Sequence, residues 1–90
     1  GFTRGLAREL GRDNIRVNAI APSLVDTPGT EEMVGEENLE RFQGVILDQQ
    51  TLRRTMQPDD LVGMASFLVS DDSAFVTGQT LNVDGGWVYR

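Results

Sequence analysis

The chain has 90 residues, 39% apolar and 24% charged, with ten Gly, three Pro and no Cys, which is the composition of an ordinary globular protein and excludes a fibre or a disordered tail. Its net charge of −6 opposes a phosphate backbone, so nucleic acid is not an expected partner, and no apolar run reaches membrane-spanning length, so no membrane partner is expected either. A chain this short buries only a little over about 60% of the surface that its unfolded form exposes, so its own core must be slight.

The basic residues are all Arg, at positions 4, 8, 12, 16, 41, 53, 54 and 90. Without Lys, His or Cys, the chain itself offers no Schiff-base amine, no imidazole acid or base, no Ser-His or Cys-His pair and no zinc site built on Cys or His. Carboxylates remain, but Glu31, Glu32, Glu36, Glu37 and Glu40 crowd together as a solvated helical face does, and that reading is preferred to paired-carboxylate catalysis. The opening GFTRGLAREL carries charges where a signal peptide needs an uninterrupted apolar segment, and the lack of Cys fits a cytoplasmic protein without requiring one.

Phe2, Leu6, Ala7 and Leu10 recur at helical spacing opposite Arg4, Arg8, Glu9 and Arg12, which predicts an amphipathic helix over residues 1–11. Gly11 is expected as its left-handed cap, with Asp13-Asn14 making the turn. No capping residue precedes Phe2, so the helix is expected to begin upstream of Gly1. Ile15, Val17, Ala19 and Ala21 alternate with Arg16, Asn18 and Ile20 as a strand does, and Pro22, which cannot donate to a ladder, is expected to end it. The small Ala19 and Ala21 fit either a flat ligand or a closely packed helix.

Residues 31–48 read as a helical stretch with Leu39, Phe42 and Ile46 on one stripe, weakened by Gly35 and Gly44. A second helix is expected to start with Pro58 in its first position and Asp59 and Asp60 in its first turn, carrying the stripe Leu61, Met64, Ala65 and Leu68 widened by Val62, Phe67 and Val69. SDDSAF turns the chain, and Thr80–Asp84 reads as a short strand closed by Gly85-Gly86. Asn18, Thr80, Asn82 and Asp84 are expected to form structural hydrogen bonds. A strand that returns through helices to another strand is the crossover unit of a parallel α/β sheet. Two strands do not make a stable sheet alone, so further strands are expected outside these residues.

Two blocks, GFTRGLARELGRDNIRVNAIAPSLVDTPGT and QPDDLVGMASFLVSDDSAFVTGQTLNVDGGW, together resemble the C-terminal portion of a short-chain dehydrogenase/reductase. The likeness rests on the Arg-Val-Asn strand ending in Pro, the Pro-Asp-Asp helix start, the Phe-Leu-x-Ser-Asp helix end and the Thr-Gly-Gln strand start with Asp-Gly-Gly behind it. It implies an α/β fold in which residues 1–90 supply two strands and flanking helices of a doubly wound, Rossmann-type parallel sheet. It implies NAD or NADP as cofactor and hydride transfer with a small carbonyl or secondary alcohol substrate. The family's catalytic Ser, Tyr and Lys and its Gly-rich turn are not in this sequence, so the chain by itself is expected to be inactive; Tyr89 has no Lys partner and is no substitute. The alternative is a non-catalytic module that acts only in subunit association.

Ligands of open α/β sheets sit beyond the carboxyl ends of the strands, and Pro22 marks such an end. The resemblance therefore assigns the nicotinamide carboxamide to Pro22, Ser23, Leu24 and Val25, through backbone groups, and to the hydroxyl of Thr27. The other reading of this stretch is a plain turn with Thr27 capping the next helix. Ser23 stands where the family has Gly, and its side chain either narrows the space near the ring or adds a polar contact. Asp26 is read as an exposed loop acid. Residues 28–54 correspond to the family's substrate lid, in which Met33, Val34, Leu39, Phe42 and Ile46 either line an apolar pocket or pack the lid onto the body. The resemblance also implies a homodimer or homotetramer built on the first helix, the last strand and its neighbouring helix, and Trp87 suits such a contact.

Overall fold

In the computed structural model, residues 1–25 and 28–87 are described. The chain runs as helix α1 (Phe2–Leu10), strand β1 (Ala19–Pro22), helices α2 (Pro28–Val34), α3 (Glu36–Gln49) and α4 (Asp59–Val69), and strand β2 (Thr80–Val83), with single 3-10 turns at Gly11–Asp13 and Asp71–Ser73. β1 and β2 are neighbours and parallel, in the register Ala19 to Thr80 through Pro22 to Val83. The crossover expected from the element order is thus present, with α2 to α4 in the connection.

The end of α1 differs from expectation. Gly11 stays right-handed at φ −59°, the 3-10 turn continues the coil, and the left-handed position falls on Asn14 at φ 59°. The extra turn gives the last helical carbonyls partners: the Asn14 N–H donates to Gly11 O at 2.9 Å and the Ile15 N–H to Leu10 O at 3.2 Å. Asn takes the left-handed region more readily than other residues with a Cβ, because its short amide can bond locally.

β1 is shorter than the alternation of 15–21 predicts. Residues 15–18 have no strand pairing, because side chains do most of the work of the ladder there. The Val17 N–H donates to Thr77 Oγ1 at 3.1 Å, and Val17 O accepts from the Gly78 N–H at 2.8 Å. Asn18 acts as a substitute peptide group: its Nδ2 donates to Val76 O at 2.9 Å and its Oδ1 accepts from the Gln79 N–H at 3.1 Å. From the next residue, where the Ala19 N–H meets Gln79 O at 2.9 Å, main chain pairs with main chain as a continuous ladder. Pro22 closes β1 as expected.

The helical stretch over 31–48 is two helices. Gly35 between them sits at φ 81°, a conformation that costs Gly little and other residues more, so the coil breaks there and resumes as a second helix. Gly44 remains inside α3. Pro58 precedes α4 as its cap rather than its first residue, and Asp59 and Asp60 occupy the first turn as expected.

Among the described residues, Ala7, Leu39 and Met56 are the buried apolar ones, against four buried polar ones, Ser23, Gln50, Ser73 and Asp84. α4 buries none of its apolar stripe, and Val62 and Val69 are 59% and 84% exposed. Polar side chains on the inside and apolar faces on the outside mean that hydrogen bonds, more than a core, position the segments of this chain relative to one another.

Candidate functional site at the carboxyl ends of the strands

Where β1 ends, Pro22 is exposed and paired to Val83, and the chain leaves through a short loop. Ser23 follows, buried, with its hydroxyl donating to Gln50 Oε1 at 2.9 Å. Of the two readings of this serine, the polar contact is therefore present, and it is made to the end of α3. Leu24 is half-buried against Ile46, Leu47, Thr55 and Met56 around a void of ≈ 10 Å³, which leaves no room for a ligand. Val25 forms a parallel bridge with Met56, and its carbonyl accepts from Thr30 Oγ1 at 2.9 Å. A carbonyl has a second lone pair, so that contact does not exhaust it. Thr27 and Asp26 lie outside the described residues.

The Val25–Met56 bridge closes the base of the 28–54 excursion, so its two ends leave the body side by side. Within it the five apolar candidates separate: Leu39 is buried and Ile46 faces Leu24, whereas Met33 and Phe42 are 80% and 51% exposed. The structure does not bring the five together as one pocket lining.

The returning limb of the excursion is fixed to the turn after β2. The Leu52 N–H donates to Gly85 O at 2.8 Å, Thr51 Oγ1 to Gly86 O at 3.2 Å, and Trp87 Nε1 to Gln49 Oε1 at 3.0 Å. Asp84 orders that turn by accepting from the Gly86 N–H at 3.0 Å. Between this turn and the start of α4 lies a cavity of ≈ 140 Å³ lined by Gln50, Leu52, Met56, Val83 and Gly85 and by the ion pair of Arg54 with Asp60. That pair is bidentate, at 2.6 and 2.7 Å, and Asp60 also accepts from the Gln57 N–H at 2.8 Å. The Arg54 guanidinium, with help from that N–H, brings the Asp60 carboxyl down to about 2, and Asp60 in turn raises Arg54.

Pro22, Ser23, Leu24 and Val25 thus form one continuous loop at the carboxyl end of a parallel strand pair, the position at which open α/β sheets take their ligands. Gln50 was not singled out by sequence pattern. A polar residue just past an amphipathic helix looks like any surface Gln, and only its contacts reveal that it is buried. Among the described residues there is no cluster of acidic, His or Cys side chains able to hold a metal, and no helix long and apolar enough to cross a membrane.

Comparison with known proteins agrees with this geometry. The family described as enoyl-(acyl carrier protein) reductase matches residues 1–88. An oxidoreductase of Mycobacterium tuberculosis, itself uncharacterized, is 46% identical over the whole chain, which covers 35% of that relative. Among solved structures, a 3-oxoacyl-[acyl-carrier protein] reductase from Brucella melitensis with bound NAD matches all of this chain over 30% of its own, at 40% identity and a TM-score of 0.78. A blue fluorescent protein from a metagenomic library, in complex with NADPH, matches 99% of this chain over 34% of its own, at 36% identity and a TM-score of 0.81. The chain therefore spans about a third of the length of the proteins it matches. A family match over nearly every residue, with parallel strands in a crossover arrangement, shows that this chain belongs to the short-chain dehydrogenase/reductase family.

Proposed function

We propose that the protein to which these residues belong transfers hydride between NAD or NADP and a small carbonyl or secondary alcohol substrate. In this reading residues 1–90 are the C-terminal portion of a single Rossmann-type domain, and residues 28–54 are its substrate lid. The observation that carries the proposal is the loop Pro22–Val25, which leaves the carboxyl end of β1 beside β2 with the base of the 28–54 excursion folded against it. A carboxamide has two donor hydrogens and an acceptor oxygen, and main-chain groups of such a loop plus the hydroxyl of Thr27 match that set. Relatives solved with NAD and with NADPH support the dinucleotide without choosing between the two forms.

The residues that would handle the hydroxyl proton are not in this sequence, so the chain's own part is to orient the nicotinamide, cover the substrate and offer surface for association. The exposed Phe2, Val62 and Val69 on α1 and α4 support the proposal of a homodimer or homotetramer, and the absence of Cys fits a cytoplasmic setting. The test is an assay of the intact protein with NADH and NADPH against a panel of ketones, and with the oxidised forms against secondary alcohols. Turnover with at least one pair is expected. Failure with every pair, in a protein that still associates with itself, would favour the non-catalytic module.

A further inference from the structure

We infer that Gln50 is a positioning residue, which ties the loop leaving β1 to the base of the 28–54 excursion so that the two move as one body. The inference rests on the reading that this loop meets the nicotinamide. Three segments far apart in sequence meet at its amide. Oε1 accepts from Ser23 Oγ at 2.9 Å, and Nε2 donates to the carbonyls of Leu52 and Arg54. Its own N–H donates to Ile46 O at 2.8 Å and so belongs to the end of α3. The side chain is only 4% exposed, and both hydrogens of its amide nitrogen are in use.

The third segment is the turn after β2, which is shaped around this amide. Gly85 sits at φ +64°, and a Cβ there would lie 2.9 Å from Gln50 Nε2 and 3.2 Å from its Cδ. Only Gly at this position leaves the amide its seat. An apolar side chain would fill the same space without needing partners, but it would leave the loop, the limb and the turn free to slide. A buried amide with every partner in place permits one arrangement. The Ser23 hydroxyl is what extends this arrangement to the proposed nicotinamide loop.

In this molecule, a shift of the loop on dinucleotide binding therefore pulls on Gln50, and through it on the Leu52–Arg54 limb. Neutral hydrogen bonds of this kind are modest in net strength, so loop and limb are held to each other while the pair as a whole can still shift.

The test compares the intact protein with its Ser23→Ala, Gln50→Leu and doubly substituted variants. Without dinucleotide, amide hydrogen exchange is expected to rise in residues 23–25 and 50–56 together in either single variant, and in the double variant no further than in Gln50→Leu alone, because Gln50→Leu already removes the bond that Ser23→Ala removes. With dinucleotide, each single variant is expected to raise its KM by about 2- to 10-fold with a smaller change in kcat. Exchange that rises in one segment alone, or effects that add in the double variant, would overturn the link. An intact wild-type protein that binds neither NAD(H) nor NADP(H) would sink the reading of the site instead, while the exchange comparison still judges the link.

Discussion

The amino and carboxyl ends of the same strand pair are fastened by different chemistry. Before β1, Arg16 reaches across to the turn after α4: Nη1 donates to Ser73 O and Ser73 Oγ, both at 2.8 Å, and Nη2 to Ser70 O at 3.2 Å. Ser73, fully buried, uses its single proton toward Leu68 O or Ser70 O and accepts from the guanidinium. After β1, no charge takes part in the link; a hydroxyl and an amide join the segments. Charge-assisted bonds are roughly twice as strong as neutral ones. The amino end is built to stay fixed, and the carboxyl end, where ligands of such sheets bind, is built to be held but adjustable. A fold of this kind divides its polar side chains by task along one strand.

The sharpest way to break that contrast is Arg16→Ala. It removes the charge-assisted bonds to Ser73 O, Ser73 Oγ and Ser70 O in a partly buried site and leaves those groups only neutral partners, and the expected loss is about 3 kcal/mol in urea unfolding of the intact protein. A loss no larger than that of Ser23→Ala would show that the two ends are fastened equally and remove the distinction.

Gly85→Ala tests the carboxyl end. The left-handed backbone alone costs a residue with a Cβ about 1–2 kcal/mol, and the new methyl must also displace the Gln50 amide. Unfolding should therefore register about 2 kcal/mol, accompanied by faster amide exchange in residues 23–25. Lost stability with exchange in that loop unchanged would mean that Gln50 is held without Gly85.

These two sites also mark what sequence could and could not reveal. The strands, the parallel crossover and the start of α4 were legible, because alternation, Asp59 and Asp60 and the flanking Gly and Pro act locally. The assignment of the loop Pro22–Val25 to the nicotinamide came from a different source, the order of several blocks shared with a family, and stands as a proposal. The shortening of β1 was not, because Asn18 and Arg16 look like the solvent face of an ordinary strand until residues 70–79 come round to meet them. The cap at Asn14 in place of Gly11 turned on whether a 3-10 turn would extend the helix, a choice between nearly equal local options. Gln50 carried no periodic signal, since its partners are 27 residues back, a few residues on and at the turn after β2.

The excursion itself offers a smaller effect of opposite sign. Gly44 lies inside α3 with open space where a Cβ would stand, whereas Gly35 next door needs its positive φ. Gly44→Ala should stabilise α3 by about 0.5–1 kcal/mol, and Gly35→Ala should destabilise, as read by the melting temperature of each variant. A destabilising Gly44→Ala would place another part of the protein against α3 at that point and redraw the excursion as a buried element.

The smallest effect concerns the ion pair beside the ≈ 140 Å³ cavity, and its sign follows from the direction of the shift. Asp60 is held at about 2 in the folded chain, by the Arg54 guanidinium first and the Gln57 N–H second, and an unfolded Asp titrates near 3.9. The folded state therefore prefers the carboxylate, so the contribution is fully present above about pH 4 and disappears as the pH falls through about 2. Arg54 is 62% exposed, so solvent screens the pair and the effect is small, but its pH dependence remains diagnostic. The stability difference between the wild type and Asp60→Asn should be constant from pH 7 to about 5 and shrink between about pH 4 and 2. A difference that persists unchanged below about pH 2 would mean that Asp60 acts through its shape and its bond to the Gln57 N–H, with the charge of Arg54 contributing nothing. In that case the carboxyl ends of the strands would be fastened by neutral bonding throughout, on both sides of the cavity, and the contrast with Arg16 would be sharper still.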